Sequence, residues 1–181
     1  SFPAAPGDRT PMDALPEHTI AFSGLKDGRH EFRFMLNDAF FAATAVEEYL
    51  GGEMGVVVLM DKSEFLLVTN IAVDGHVRLL CDRCAAPMQQ PLKAEQRQIF
   101  KLTGEEDYQD DDELVGLDDQ ATEVNLTHYF FECISLNLPI RHVHPAGQCD
   151  PEVEAAMAQV SVEPEPVEDP RWDALKALKK N

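Results

Sequence analysis

Alternating side chains between positions 29 and 36 place the strongest constraint on how this chain can fold. The apolar or aromatic positions are His30, Phe32, Phe34 and Leu36, and they alternate with Arg29, Glu31, Arg33 and Met35. A period of two is typical of a strand with one buried face. A short apolar run at 19–22 and turn residues at 24–28 precede it. The pattern therefore predicts a β-hairpin over residues 19–36.

The rest of the chain carries both strand and helix signals. Apolar runs bounded by polar or turn residues predict strands at 56–60, 65–73, 76–81, 92–102 and 123–126. Asp74-Gly75 is a hairpin turn signal between two of them. Capping residues and helical periodicity predict helices at 38–50, at 127–136, from Asp150 and from Asp169. We predict an α+β fold: an antiparallel β-sheet domain with a few packed helices and a helical C-terminal arm.

The predicted organisation is one domain with appendages. The domain covers residues 15–149 and includes an acidic loop at 103–120, while residues 1–14 form a loose N-terminal tail. Residues 150–181 form a helical arm with an acidic, proline-containing linker. No apolar run approaches the ~20 residues of a membrane-spanning helix. Four cysteines without a signal peptide favour a reducing compartment, so we expect a cytoplasmic protein with no membrane partner.

Charge is the extreme property of the composition. The chain holds 33 Asp and Glu against 15 Lys and Arg, a net charge of −18 at pH 7. Residues 102–170 hold 18 of these acids and a single base, Arg141, so the remainder is nearly neutral. A uniformly acidic chain would be repelled by nucleic acid. This distribution instead predicts that any RNA contact avoids residues 102–170.

The densest acidic run has two interpretations. It includes Glu105, Glu106, Asp110, Asp111 and Asp112. A block of like charge usually forms a solvated loop. The same block is also a candidate contact for a basic partner, such as a ribosomal protein.

Cys81-Asp82-Arg83-Cys84 is the sharpest local motif. Two cysteines separated by two residues can direct both sulfurs at one ion, and zinc then needs two more thiolate or imidazole ligands. The candidates for these are His142, His144, Cys149 and Cys133. We predict a site of Cys81, Cys84, His144 and Cys149, with His142 as the replacement for His144. The alternatives are four reduced thiols without metal, or a thiol redox pair at Cys81 and Cys84.

A metal held this way would be structural, because four protein ligands leave no open position for a catalytic water. The sequence has no glycine-rich phosphate loop, no Gly-x-Ser-x-Gly elbow and no His-Glu-x-x-His helix. We therefore expect a protein that is not an enzyme.

Five basic residues outside the acidic segment are candidate phosphate contacts: Arg78, Arg83, Lys93, Arg97 and Lys101. The last three would share one face of a regular strand.

The order of several motifs resembles the YceD family. These motifs are the segment 22–28, the Cys81–Cys84 pair after a glycine-containing hairpin, the segments 129–132 and 135–139, His142-Val143-His144 with Cys149, and the terminal segment 169–175. The resemblance covers the chain from about Met12 to its end. Many members carry two cysteine pairs, and here His144 stands in place of one cysteine of the second pair.

The resemblance implies a large ribosomal RNA subunit accumulation protein that binds metal and nucleic acid. The expected partner is 23S rRNA or a pre-large-subunit particle. The second hypothesis is an acidic chaperone or adaptor for a basic ribosomal protein that makes no contact with RNA.

Overall fold

Five strands form the main sheet of the computed structural model, which describes residues 14–102 and 114–160. Their order in the sheet follows the chain: β2 (Gly28–Leu36), β3 (Gly51–Lys62), β4 (Leu66–Leu80), β5 (Pro87–Lys101) and β6 (Leu114–Gly116). β2 to β5 are antiparallel neighbours, whereas β6 pairs with β5 in parallel. The predicted α+β fold is confirmed. β6 lies within the segment 103–120 that the sequence predicted to be a loop.

One face of this sheet is buried and the other is open. On β3 the even positions Met54, Val56, Val58 and Met60 are buried, and the odd positions between them are more exposed. The buried side chains meet α1 (Asp38–Ala43) and α2 (Thr127–Asn137), which contains Phe130. We call the other side of strands β2 to β5 the outer face. None of the described helices packs on it.

Two short strands form a separate antiparallel pair. β1 (Thr19–Ala21) pairs with β7 (Glu123–Asn125), which directly precedes α2. The predicted hairpin over 19–36 is therefore wrong, because β1 pairs with a strand about a hundred residues away rather than with β2. Contacts between distant parts of the chain hold β1 in this place, because His18, just before β1, lies buried against the rings of Phe34, Phe40 and Phe130.

The turn predicted at Asp74-Gly75 is also wrong, because β4 runs through both residues. Gly75 is needed here for a close approach of backbones. A Cβ at this position would lie 2.7 Å from Met54 Cα and would collide with the carbonyl oxygen of Glu53. The glycine therefore allows β3 and β4 to pair closely, and the chain turns only at residues 81–86.

The helix predicted at 38–50 ends at Ala43. Asn37 caps its first turn as expected, accepting a hydrogen bond from the Ala39 N–H at 3.0 Å. The helix stops because the Thr44 hydroxyl donates to the Phe41 carbonyl at 2.7 Å and Ala45 adopts a left-handed φ of 53°.

The C-terminal helix of the described chain is α3 (Pro151–Val160), where the sequence predicted a helix from Asp150. Residues 1–13 of the tail predicted over 1–14, the acidic run 105–113 and the predicted helix from Asp169 lie outside the described ranges. None of the three helices within those ranges has the length and apolar character needed to cross a membrane.

Candidate metal centre and basic residues

The first two candidate ligands lie in the loop of a long hairpin. Leu80 and Pro87 are the last paired residues of β4 and β5, and Cys81 and Cys84 lie in the six-residue loop between them. The Cys81 N–H donates to the Ala86 carbonyl at 2.9 Å, and the Ala85 N–H donates to the Cys81 carbonyl at 2.8 Å. Ala85 has a left-handed φ of 56°. This tight reversal turns both sulfurs toward the same side.

The other two candidate ligands lie in the loop that leads into α3. Two hydrogen bonds between Asp82 and His142 hold this loop against the hairpin. The Asp82 N–H donates to the His142 carbonyl at 2.7 Å, and the Asp82 carboxylate accepts the His142 N–H at 2.6 Å. Gly147, with a φ of 77°, then reverses the chain between His144 and Cys149.

The four candidate ligand atoms converge as a tetrahedral site requires. All lie within 4.8 Å of one another. Cys81 Sγ is 3.8 Å from Cys149 Sγ, while His144 Nδ1 is 3.4 Å from Cys84 Sγ and 3.8 Å from Cys149 Sγ. Zinc–ligand bonds of about 2.3 Å to sulfur and 2.0–2.1 Å to nitrogen give tetrahedral edges of about 3.8 Å and 3.6 Å. The Cys81, Cys84, His144 and Cys149 cluster can therefore hold a metal ion.

This end of the molecule has little hydrophobic core of its own. A small buried cluster of Cys81, Met88 and Cys149, flanked by Cys84 and Val143, is separate from the main core. So few apolar side chains contribute little burial energy to holding the loop on the hairpin. A metal ion would supply the missing stability, because its bonds close a loop between the hairpin and residues 142–149.

The electrostatics of the cluster also favour a cation. Burial, acting together with the neighbouring Cys81 and Cys84 sulfurs, raises the pKa of the Cys149 thiol to about 11. Burial acts in the same direction on Cys81, but backbone hydrogen bonds, including those from Cys84, His144 and Arg83, lower its pKa to about 5. One thiolate is thus stabilised and its neighbour is held as a thiol. A bound cation would lower the pKa of both thiols, since it favours the charged form of every ligand.

The remaining two candidates lie outside the cluster. The ring of His142 faces Asp82, with Nδ1 4.0 Å from the carboxylate, and its Nε2 is buried without a hydrogen-bond partner among the described residues. Cys133 is buried in α2 within the main core. Burial raises the pKa of its thiol to about 11, as expected for an inert core cysteine.

The five candidate phosphate contacts extend along β4, the hairpin loop and β5. Arg78 pairs with Asp38 at 2.7 Å, Arg83 lies 3.9 Å from Glu154 of α3, and Lys93 lies 3.5 Å from Asp74. Lys93, Arg97 and Lys101 lie four residues apart at odd positions of β5 and so share the outer face, as their even spacing predicts. The partner carboxylates weaken the positive potential of Arg78, Arg83 and Lys93.

Sequence reasoning missed two further bases on the same face. Arg29 and Arg33 occupy odd positions of β2, opposite the half-buried His30, Phe32 and Phe34. The alternation at 29–36 could have predicted their position, because it assigns both arginines to the exposed side of the strand. The acidic residues predicted to bind a partner, Glu105, Glu106, Asp110, Asp111 and Asp112, lie outside the described ranges.

A family model described as "Large ribosomal RNA subunit accumulation protein YceD" matches residues 69–179, more than half of the chain. The chain belongs to the YceD family. No curated protein and no solved structure gives a significant match. The YceD match spans β4, β5, α2 and α3 and includes all four residues of the metal cluster.

The family description concerns accumulation of the RNA of the large ribosomal subunit. The part of the chain that the family model matches begins at Thr69. Strands β2, which carries Arg29 and Arg33, and β3 therefore lie outside it. The open face described above therefore combines matched strands β4 and β5 with unmatched strands β2 and β3.

Proposed function

We propose that this YceD-family protein promotes 23S rRNA accumulation during assembly of the large ribosomal subunit, as a non-enzymatic factor stabilised by one structural zinc ion. The observation that carries the proposal is the family match over residues 69–179. The resemblance in motif order, read from the sequence alone, leads to the same process.

The donor set supports zinc as the metal. Three thiolates and one imidazole suit a borderline-soft ion that prefers tetrahedral geometry, whereas magnesium and calcium take oxygen ligands. With four protein ligands the ion has no open position for substrate or water. Its role would be to hold loop 142–149 and the start of α3 on the β4–β5 hairpin.

Nucleic-acid contact is proposed for the basic residues nearest the cluster. Arg83 lies between the two hairpin cysteines, and Arg78 lies three residues before the first. Both are held by exposed or half-exposed carboxylate partners, and surface ion pairs of this kind are weak enough for a phosphate to compete. Lys93, Arg97 and Lys101 would extend the contact along β5 on the outer face.

The alternative is an acidic chaperone or adaptor for a basic ribosomal protein. Its support is the concentration of 18 acidic residues and one basic residue in the segment 102–170. Neutralising Glu105, Glu106, Asp110, Asp111 and Asp112 should then abolish association. Charge reversal of Arg78, Arg83 and Lys93 should abolish it if the protein contacts RNA directly.

The decisive experiment is complementation in a strain that lacks the gene. We expect the ratio of 23S rRNA to small-subunit rRNA to fall in that strain, to recover with the wild-type chain, and to stay low with Cys81→Ser. Crosslinking and pulldown from the complemented strain should recover pre-23S rRNA or large-subunit proteins. An unchanged rRNA ratio, together with a pulldown that recovers neither, would refute the proposed function.

A further inference from the structure

The outer face of the main sheet has an apolar floor between two charged rows. Val57 and Leu59 on β3 and Ala72 on β4 form the floor, and the Leu59 side chain is 50% exposed. A shallow depression between them is bordered by Glu95 and Arg97 of β5. An apolar strip rimmed by charged residues is typical of a surface that contacts another protein.

Both charged rows have the sign pattern plus, minus, plus. On β2 the row is Arg29, Glu31 and Arg33, and on β5 it is Lys93, Glu95 and Arg97. The rows lie three strand spacings apart, about 14 Å. A protein surface with the opposite alternation of signs would be electrostatically complementary to these rows.

The strand register brings opposite charges into line across the sheet. One line of Cα partners consists of Arg33, Val57, Ala72 and Glu95. The next consists of Glu31, Leu59, Asn70 and Arg97. Each line therefore begins and ends with opposite charges, with the floor residues between them.

We propose that this face binds a second copy of the chain in a two-fold symmetric, face-to-face dimer. A two-fold axis parallel to the strands places β2 of one copy over β5 of the other. Each line of Cα partners then faces the same line of the second copy, in the reverse order. Arg33 then meets Glu95 of the other copy, and Glu31 meets Arg97. By symmetry each contact forms twice, as an isologous interface requires.

Most of the remaining face is compatible with this arrangement; in the next line Arg29 lies opposite Ile99 and Asp61 opposite Val68, where the two charges keep their own ion pair at 3.8 Å. Val57 meets Ala72 and Leu59 meets Asn70, so the two floors bury each other, and stacked sheets whose strands run within about 30° of each other are a standard packing. Met35, which is 63% exposed, lies opposite the aliphatic stem of Lys93. Among the described residues, neither Glu95 nor Arg97 has an ion-pair partner within the chain, whereas Arg33 and Glu31 pair with each other at 2.6 Å and would exchange this exposed, weak ion pair for the contacts with the other copy.

The size of the face fits a modest dimer. Four strands spaced about 4.8 Å apart and about nine residues long form a patch of about 19 Å by 30 Å. The accessible area of such a rough patch exceeds its projection and approaches the ~800 Å² per partner of a standard interface. In the dimer Lys93 and Arg97 would face the other copy, so their proposed phosphate contact would require the monomer, whereas the half-buried Arg78 and Arg83 near the metal cluster lie outside the covered face.

Sedimentation equilibrium on the full chain, at concentrations up to about 100 μM, tests this dimer. The wild type should show twice the 20.2 kDa chain mass. Arg33→Glu and Glu95→Arg should each weaken association by on the order of 100-fold, because each change acts twice in a symmetric interface. Combining both changes in one chain should restore the dimer. Lys26→Glu, in the turn before β2, changes the net charge as Arg33→Glu does and should leave the mass unchanged.

Two results would overturn the proposal. One is a wild-type chain that stays monomeric over this concentration range. The other is a dimer that Arg33→Glu dissociates but that the double charge exchange does not restore. Circular dichroism of every variant shows whether the fold is kept. Neither result bears on the rRNA ratio that tests the proposed function.

Discussion

The sulfur atoms of Cys81 and Cys149 lie 3.8 Å apart although 68 positions separate them in the chain. This contact joins the tip of the β4–β5 hairpin to the loop before α3, where a small buried cluster and the two Asp82–His142 hydrogen bonds support it. Removing a bound metal should therefore loosen this end and leave the main core intact. After treatment with a strong chelator we expect the amides of Asp82 and Ala85 to exchange at least about tenfold faster, and that of Phe130 to be unchanged. Equal acceleration at all three sites would contradict this local role.

Asp82 should control how well the cluster holds its metal without being a ligand. Its carboxylate accepts the His142 N–H at 2.6 Å, two residues before His144. Asp82→Ala should weaken metal retention about 10- to 100-fold, as the loss of groups that orient ligands usually does. Competition with a chromophoric chelator measures this. Asp82→Asn keeps an acceptor and should retain metal close to the wild-type level. An equal loss in both variants would show that charge, rather than the hydrogen bond, is what matters.

Gly75 should tolerate no side chain. An added Cβ would lie 2.7 Å from Met54 Cα, so β3 and β4 would have to separate. We expect Gly75→Ala to lower the free energy of unfolding by about 1–3 kcal/mol, measured by urea denaturation. Gly24→Ala is the matched control, because nothing lies within 4 Å of a Cβ there. Equal stability of the two variants would mean that the strands do not approach so closely.

His18 should make stability depend on pH on the acid side. Burial lowers its pKa from the ordinary value of 6.5, and Glu17 opposes this only partly. The unfolded state therefore binds the proton more readily, so His18 contributes stability above pH 6.5 that is lost as the pH falls toward the lowered pKa. His18→Phe should remove this contribution to the slope. It should also cost about 1 kcal/mol at neutral pH through the lost 2.9 Å hydrogen bond to Thr127. Identical slopes in the two proteins would refute the assignment.

Local chemistry was enough to predict much of the candidate site and several elements. Cys81, Cys84, His144 and Cys149 could be selected because thiols and imidazoles in turn-rich segments are few in this chain. The Pro151–Val160 helix follows a capping aspartate and a first-turn proline, and the even spacing of Lys93, Arg97 and Lys101 predicted that they share one face of a strand, as they do on β5. Each of these features depends on residues within a few positions of one another.

The failures came from contacts between distant segments. β1 pairs with β7 because the buried His18 and its aromatic neighbours fix the strand there, and no local pattern reports this. Gly75 looks like a turn residue in sequence, yet its lack of a side chain accommodates a neighbouring backbone. The reciprocal charge lines from β2 to β5 became visible only once the strand register was known.

Metal content of the purified chain tests the central claim most directly. The protein should be prepared under reducing, chelator-free conditions and measured by inductively coupled plasma mass spectrometry. We predict about one zinc per chain in the wild type, none in Cys81→Ser, and an unchanged content in Cys133→Ala, whose sulfur lies in the main core. A wild-type chain without zinc, or a Cys81→Ser chain that keeps its zinc, would contradict the claim.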